Sequence, residues 1–396
     1  MKKIYLILTL TIFITSCITI KFSPEKIIDR IEDRMKCMLH ETKEQNAIPR
    51  SVDITGETRW IRENLDWTEG FWPGICWILY QYSGDTLWEN AALLSQEKII
   101  NHRFDRSTHD LGFIFNNSYG KAYRITEKEE YKQILIDAAN SLVSRYSPAI
   151  GCIKSWDWAP NRWQFPVIID NMMNLELLFE VFLITGDTLY KEIAIRHANT
   201  TMKNHFRPDF SSFHVVDYDT ITGNIIRRQT HQGFSDNSSW ARGQSWGLYG
   251  YILCFRYTKD SIYLDQAEKI AEYILNQLPT DGIPYWDYLA PDSLKMYRDA
   301  SAAAILASAL IELAAYTKKS KYISAAKMIL ETLSNNEYFD SSEKNNCFVL
   351  SHSVGSYPED SEVDVPIIYA DYYFIEALLR LRTSQDSNKK RYKPGY

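Results

Sequence analysis

The chain has 396 residues, a formal net charge of −6 and no basic stripe, so it lacks the electrostatic footprint of a nucleic-acid binder. Length alone would allow two or three domains. Its 11 Trp and 26 Tyr suit a carbohydrate cleft and equally a large core, and decide little by themselves.

At the N-terminus, Lys2 and Lys3 precede an apolar run, Ile4 to Ile14, too short for a bilayer at about 20 residues per crossing. A basic start, a short apolar stretch and small residues before a cleavage point read as a secretory signal over residues 1–16. Ile14-Thr15-Ser16-Cys17 fits a bacterial lipobox, in which Cys17 is lipidated and becomes the mature N-terminus. An ordinary signal peptide with a chance cysteine is the alternative. No acidic run follows Cys17, so the expectation is a lipid anchor facing the periplasm, the chain's only contact with membrane. The other cysteines, Cys37, Cys76, Cys152, Cys254 and Cys347, show no CxxC spacing and no nearby His cluster, so no metal or cofactor is expected. Cys76 and Cys254 sit in apolar helical stretches and read as buried thiols, and one disulfide is open in an oxidising compartment.

From Pro24 onward the dominant signal is a repeat. Five times an apolar, helix-period stretch ends in a short polar turn followed by an aromatic residue and then Ala. The turns are Ser83-Gly84-Asp85, Thr126-Glu127, Thr185-Gly186-Asp187, Thr258-Lys259-Asp260 and Thr317-Lys318-Lys319. Gly suits a left-handed helix end, and Ser, Thr or Asp suits the cap of the next helix, so each turn joins two antiparallel helices. Helices before the turns start near Trp67, Asp110, Asp170, Ala241, Asp299 and Asp371 and are apolar nearly all round, hence inner; those after the turns carry charge on one face, hence outer. With Pro24–Thr42 as the closing outer helix, six inner and six outer helices predict an all-α (α/α)6 toroid in one domain, residues 17–383, with a polar tail over 384–396. An open solenoid is the runner-up, and the lack of capping repeats favours closure.

Polar groups gather at the inner helix starts, which converge on one end of a toroid. Asp110 follows Ser107-Thr108-His109, and Asp170-Asn171 opens the helix after Pro166. Asp in a first turn most simply complements the helix dipole. Asp110 and Asp170 differ in their apolar neighbours, Leu111 and Phe113 for one, Ile168, Ile169 and Met172 for the other; such surroundings raise a carboxyl pKa and prepare a general acid, while the helix dipole opposes this. Arg242 and Trp246, at i and i+4, offer a fork for a carboxylate beside a stacking surface, or equally a buried Arg–Asp pair beside a packed Trp. His214 and His231 read as ligand contacts or as hydrogen-bonded structural histidines.

The ordered set Phe71-Trp72-Pro73-Gly74, His109-Asp110-Leu111-Gly112-Phe113, Ile169-Asp170-Asn171-Met172-Met173-Asn174, Thr230-His231-Gln232-Gly233, Trp240-Ala241-Arg242-Gly243-Gln244-Ser245-Trp246 and Asp299-Ala300-Ser301 resembles glycoside hydrolase family 88, the unsaturated glucuronyl hydrolases. The resemblance implies an (α/α)6 barrel that acts on lyase-generated oligosaccharides, glycosaminoglycan disaccharides among them, by hydrating the C4=C5 bond of a terminal unsaturated uronic acid. It implies Asp170 as the acid and then the base, with Asp110 as partner. Trp72, Trp156, His214, Thr230, Gln232, Trp240, Arg242 and Trp246 match sugar-subsite positions, with His109 and His231 behind them. Arg228, where relatives often have Gly, and the loop Asn345–Glu362, with no cluster of Lys and Ser, depart from the pattern. The alternatives are a related unsaturated rhamnogalacturonyl hydrolase, against which the Trp240–Trp246 motif argues, and a non-catalytic glycan-binding lipoprotein, against which the two aspartates argue.

Overall fold

The computed structural model describes residues 22–339 and 345–385; the expected signal, Cys17 and most of the expected tail lie outside them. Twelve helices are described: α1 Pro24–Gln45, α2 Phe71–Ser83, α3 Thr86–Ile99, α4 Gly112–Gly120 continuing over Lys121–Thr126, α5 Glu129–Val143 and α6 Asn171–Thr185, then α7 Thr188–Asn204, α8 Ala241–Thr258, α9 Ser261–Gln277, α10 Ala300–Thr317, α11 Ser320–Leu333 and α12 Ile368–Gln385. The even-numbered helices form a closed ring in which α2 packs on α4, α4 on α6, α6 on α8, α8 on α10, α10 on α12, and α12 back on α2. Each has an outer partner, α3, α5, α7, α9 and α11 in turn, with α1 covering α12. This is the expected six-hairpin toroid, closed as predicted.

The turns work as their residues dictate. Gly84, Glu127, Gly186, Lys259 and Lys318 all end inner helices in the left-handed conformation, each donating its N–H back to the last turn. Asp85, Asp187 and Asp260 then cap the outer helices, accepting the N–H two residues on. The Ala-rich α10 is apolar on every side because it is buried within the ring.

Three local expectations shift. The first inner helix starts at Phe71 rather than near Trp67, because the Asp66 carboxylate accepts the Thr68 N–H and hydroxyl and holds residues 66–68 in a turn. The second is π-helical over Gly112–Gly120, a wide winding often met at functional sites. Helix α12 runs through Ser384 to Gln385, past the predicted start of the tail.

Short β segments decorate the end where the inner helices begin. They are the hairpins β1–β2 (Ile48–Val52, Thr58–Ile61), β3–β4 (Tyr146–Ser147, Cys152–Ile153) and β8–β9 (Ser353–Ser356, Ser361–Val365), and an antiparallel sheet in the order β5-β6-β7 (Pro166–Ile168, Val215–Tyr218, Ile225–Gln229). Cys37 of α1 is disulfide-bonded to Cys347, while Cys76, Cys152 and Cys254 are buried free thiols.

Candidate active site

The inner helix starts surround a cavity of about 730 Å³, within the roughly 300–1,000 Å³ usual for ligand sites. Its wall includes His109, Asp110, Trp156, Asp170, His231, Gln232 and Arg242, so seven of the twelve predicted site residues meet there. The other five do not reach it. Trp72 and Trp246 are fully buried, and Trp246 packs against Phe113 and Tyr373 beneath the floor. His214 and Trp240 stand one layer behind, their rings 4.6 Å apart. Thr230 closes a turn, its hydroxyl accepting the Gly233 N–H.

The two aspartates are held by one construction. Ser155 accepts the His109 N–H at 2.9 Å and donates its own N–H to Pro166, tying the Asp110 loop to the strand that leads into Asp170. Asn174 then accepts the Phe113 N–H at 2.8 Å. Gly112 is required at that crossing, since a Cβ there would lie 2.4 Å from Asn174 Cα.

Neither aspartate caps its helix. Asp170 sits at the cap position of α6, yet its side chain bonds no helix N–H. Asp110 accepts the Thr108 hydroxyl at 2.6 Å. Asp299 is the contrast, a true cap accepting the Ser301 and Ala302 N–H groups. Burial pushes Asp170 up to about 7, reinforced by Asp110 and opposed by Arg242. Burial likewise pushes Asp110 up to about 7, against the Thr108 hydrogen bond and with the charge of Asp66. The dipole question left open by the sequence is thus decided by desolvation. Asp371 rises equally, but its two oxygens accept the Val349 and Leu350 N–H groups, so geometry and not titration separates site from scaffold.

Burial disfavours charge on the histidines beside the two aspartates. Burial, with the charge of Arg145, brings His109 down to about 3, and its Nε2 lies 3.2 Å from Asp110 Oδ1. Burial holds His214 well below its usual value, and its Nδ1 accepts the His231 and Gln232 N–H groups. The ring proton therefore sits on Nε2, the nitrogen 3.7 Å from Asp170 Oδ2.

Arg242 forms the buried Arg–Asp pair beside a packed Trp. It is 1% exposed and 3.5 Å from the buried Asp299, donates to Val354 O and to Gly355 O, and stacks over Trp240 at 4.5 Å. It nonetheless reaches the cavity wall, and Gln232 shares its Gly355 anchor.

The wall also holds Asp66, Trp67, Trp158 and Glu359 from rim loops, with Ser356 and Ser361 from the facing ends of β8 and β9. Trp158 had a signal, since Trp156-Asp157-Trp158 in an extended loop sends both rings to one side. Among the described residues no group of three or more His, Cys, Asp or Glu is arranged to hold a metal.

Residues 35–377 match the family model described as Glycosyl Hydrolase Family 88. An unsaturated glucuronyl hydrolase of Formosa agariphila is 43% identical over 357 residues, covering 88% of each chain. A crystal structure of an unsaturated glucuronyl hydrolase specific for heparin superposes with a TM-score of 0.87 at 41% identity, covering 91% of this chain and 98% of that one. A solved UGL variant with dGlcA-Glc-Rha-Glc gives a TM-score of 0.84 at 31% identity, covering 91% and 97%.

Proposed function

This chain belongs to glycosyl hydrolase family 88, and from that premise we propose that Asp170 protonates C4 of a 4,5-unsaturated uronic acid with Asp110 as its partner. The enzyme is a glycoside hydrolase, an unsaturated glucuronyl hydrolase that removes the terminal unsaturated uronate from lyase-generated oligosaccharides such as glycosaminoglycan disaccharides.

The C4=C5 bond of that sugar is an enol ether. The Asp170 carboxyl, protonated near neutral pH, gives its proton to C4, and the alkene electrons form the new C–H bond. Positive charge develops at C5 and the ring oxygen. Water adds at C5 and loses a proton to the Asp170 carboxylate, which restores the acid. The hemiketal opens at the C5–O bond to a ketone, and the hemiacetal left at C1 expels the second sugar. Because no glycosyl-enzyme bond forms, carboxylate separation does not set a stereochemical outcome here. Asp110 holds ring hydroxyls and balances developing charge, while Arg242 and Gln232 face the substrate's polar edge. Neutral His214, its proton on the nitrogen facing Asp170, supports the carboxylate once the proton has left.

The observation that carries this reading is a pair of non-capping carboxyls, Asp170 buried and Asp110 half-buried, in one cavity. The substrate's conjugated enol ether absorbs in the ultraviolet, and hydration abolishes that band. Purified protein should bleach at least one unsaturated uronyl disaccharide, and an unchanged spectrum across a panel of glycosaminoglycan and gellan products would sink the proposal.

The same proposal includes a lipid anchor at Cys17 and a periplasmic location. The Cys37–Cys347 disulfide supports an oxidising compartment. Expressed in bacteria, the parent should partition with membranes and Cys17→Ala should not; equal partitioning would refute the anchor.

A further inference from the structure

Trp158 stands apart from the rest of the aromatic wall. It is 59% exposed, whereas neighbouring Trp163 is buried and Trp156 half-buried. Its ring is nonetheless braced, with centroids 5.3 Å from Trp156, 5.5 Å from Trp163 and 5.1 Å from His231. Trp163 is itself fixed, donating from its indole to Gln229 and carrying the Arg162 guanidinium 4.2 Å over its face. Asp157, between the two tryptophans in sequence, is paired with Arg145 and Lys154. The indole is therefore set in place before any ligand arrives, which lowers the ordering cost of binding.

The aromatic series runs outward from the floor. Asp170 Oδ2 is 3.7 Å from His214, the His214 ring is 6.4 Å from Trp156, and Trp156 leads to Trp158 at the lip of the same cavity. A glycan with its unsaturated end at Asp170 would follow that path out, and a pyranose C–H face packs well on an indole. Glu359 lies beside this lip, 55% exposed, with its carboxylate 3.7 Å from His231 Nδ1. Burial keeps His231 below its usual value against the pull of Glu359, so the ring is a weak partner for that carboxylate.

Resting on the functional reading above, we propose that Trp158 forms a subsite for the sugar beyond the leaving residue, and that Glu359 makes this subsite favour an uncharged ring. The carboxylate accepts hydroxyl hydrogens from a neutral sugar and repels a uronate or sulfate.

The test compares the tetrasaccharide dGlcA-Glc-Rha-Glc, whose third residue is uncharged, with the disaccharide dGlcA-Glc, and with a hyaluronan-derived unsaturated tetrasaccharide whose third residue carries a carboxylate. In Trp158→Ala the ratio of kcat/KM for dGlcA-Glc-Rha-Glc to that for the disaccharide should fall about three- to tenfold, the range expected for one aromatic contact. The change should enter through KM, and Trp158→Phe should recover part of it. Glu359→Gln should narrow the gap between the two tetrasaccharides about threefold, as expected for one solvent-exposed charge contact. A ratio unmoved by Trp158→Ala while the parent turns over the disaccharide overturns the subsite alone. Charge discrimination unaltered in Glu359→Gln overturns its selectivity. A parent that bleaches none of the three compounds overturns the functional reading and this inference with it.

Discussion

Carboxylates lie at two levels inside the ring, and they are treated in opposite ways. At the mouth, Asp110 and Asp170 form no ion pair with Lys or Arg among the described residues, and burial raises both to about 7. Deeper along the same helices, Glu176, Glu180, Glu312 and Glu376 interlock with Lys121, Arg124, Arg256 and Arg380. There burial also pushes carboxyls up, but Arg380 and Lys121 outweigh it and bring Glu376 down to about 2, while Arg256 and Arg380 hold Glu312 below its usual value. Tyr249 and Tyr257 add hydroxyl donors to the same network. Burial raises a carboxyl only where no cation outweighs it, and the raised carboxyls that also face the cavity, as Asp371 does not, are the ones placed to act as acids.

The contrast breaks most sharply under substitution. Asp170→Asn removes a group that works by losing its proton, so kcat should drop by about 10²–10⁴-fold while the fold stays intact, checked by steady-state rates beside thermal melts. Glu312→Gln should do the reverse. It leaves Arg256 and Arg380 under-compensated in the interior, costing about 3–5 kcal/mol of stability by chemical denaturation. An equally stable variant would show that the deep network is dispensable. Gly112→Ala drives a methyl into Asn174 and should cost about 1–3 kcal/mol, with a fall in activity because that crossing sets the two aspartates against each other.

Stability against pH sharpens the same comparison. The raised mouth carboxyls contribute stability that is fully present below about 4 and lost as pH rises towards about 7. The lowered Glu376 contributes stability present above the ordinary carboxylate range and lost as pH falls towards about 2. Asp170→Asn should therefore melt higher than the parent at pH 8 and no higher at pH 4. A constant offset at both values would mean Asp170 is ionised throughout.

The toroid was legible because hairpin turns use local chemistry, with left-handed ends such as Gly186 and caps such as Asp187 repeating at each corner. The aspartates were legible through their motifs, yet their ionisation was not, since it depends on which cations the folded ring brings near. Asp66 and Glu359 escaped notice because they lie on rim loops, where neither period nor cap marks a wall residue, and Trp158 carried only its alternation with Trp156. Trp72 and Trp246 are the converse case. A Trp inside a motif reads as a sugar platform, but both point into the packed ring. The deep network was invisible because its members lie far apart in sequence, as Lys121 and Glu376 do, and a charge on an apolar helix does not announce its partner.

The pH dependence of the hydration rate tests the proton-donor role of Asp170 most directly. With an unsaturated disaccharide bleached under kcat/KM conditions, the rate should fall about tenfold per pH unit above about 7, as the Asp170 carboxyl loses the proton it must give to C4. A rate that stays level or climbs between pH 7 and pH 9 would contradict the account, because an ionised Asp170 cannot be the acid.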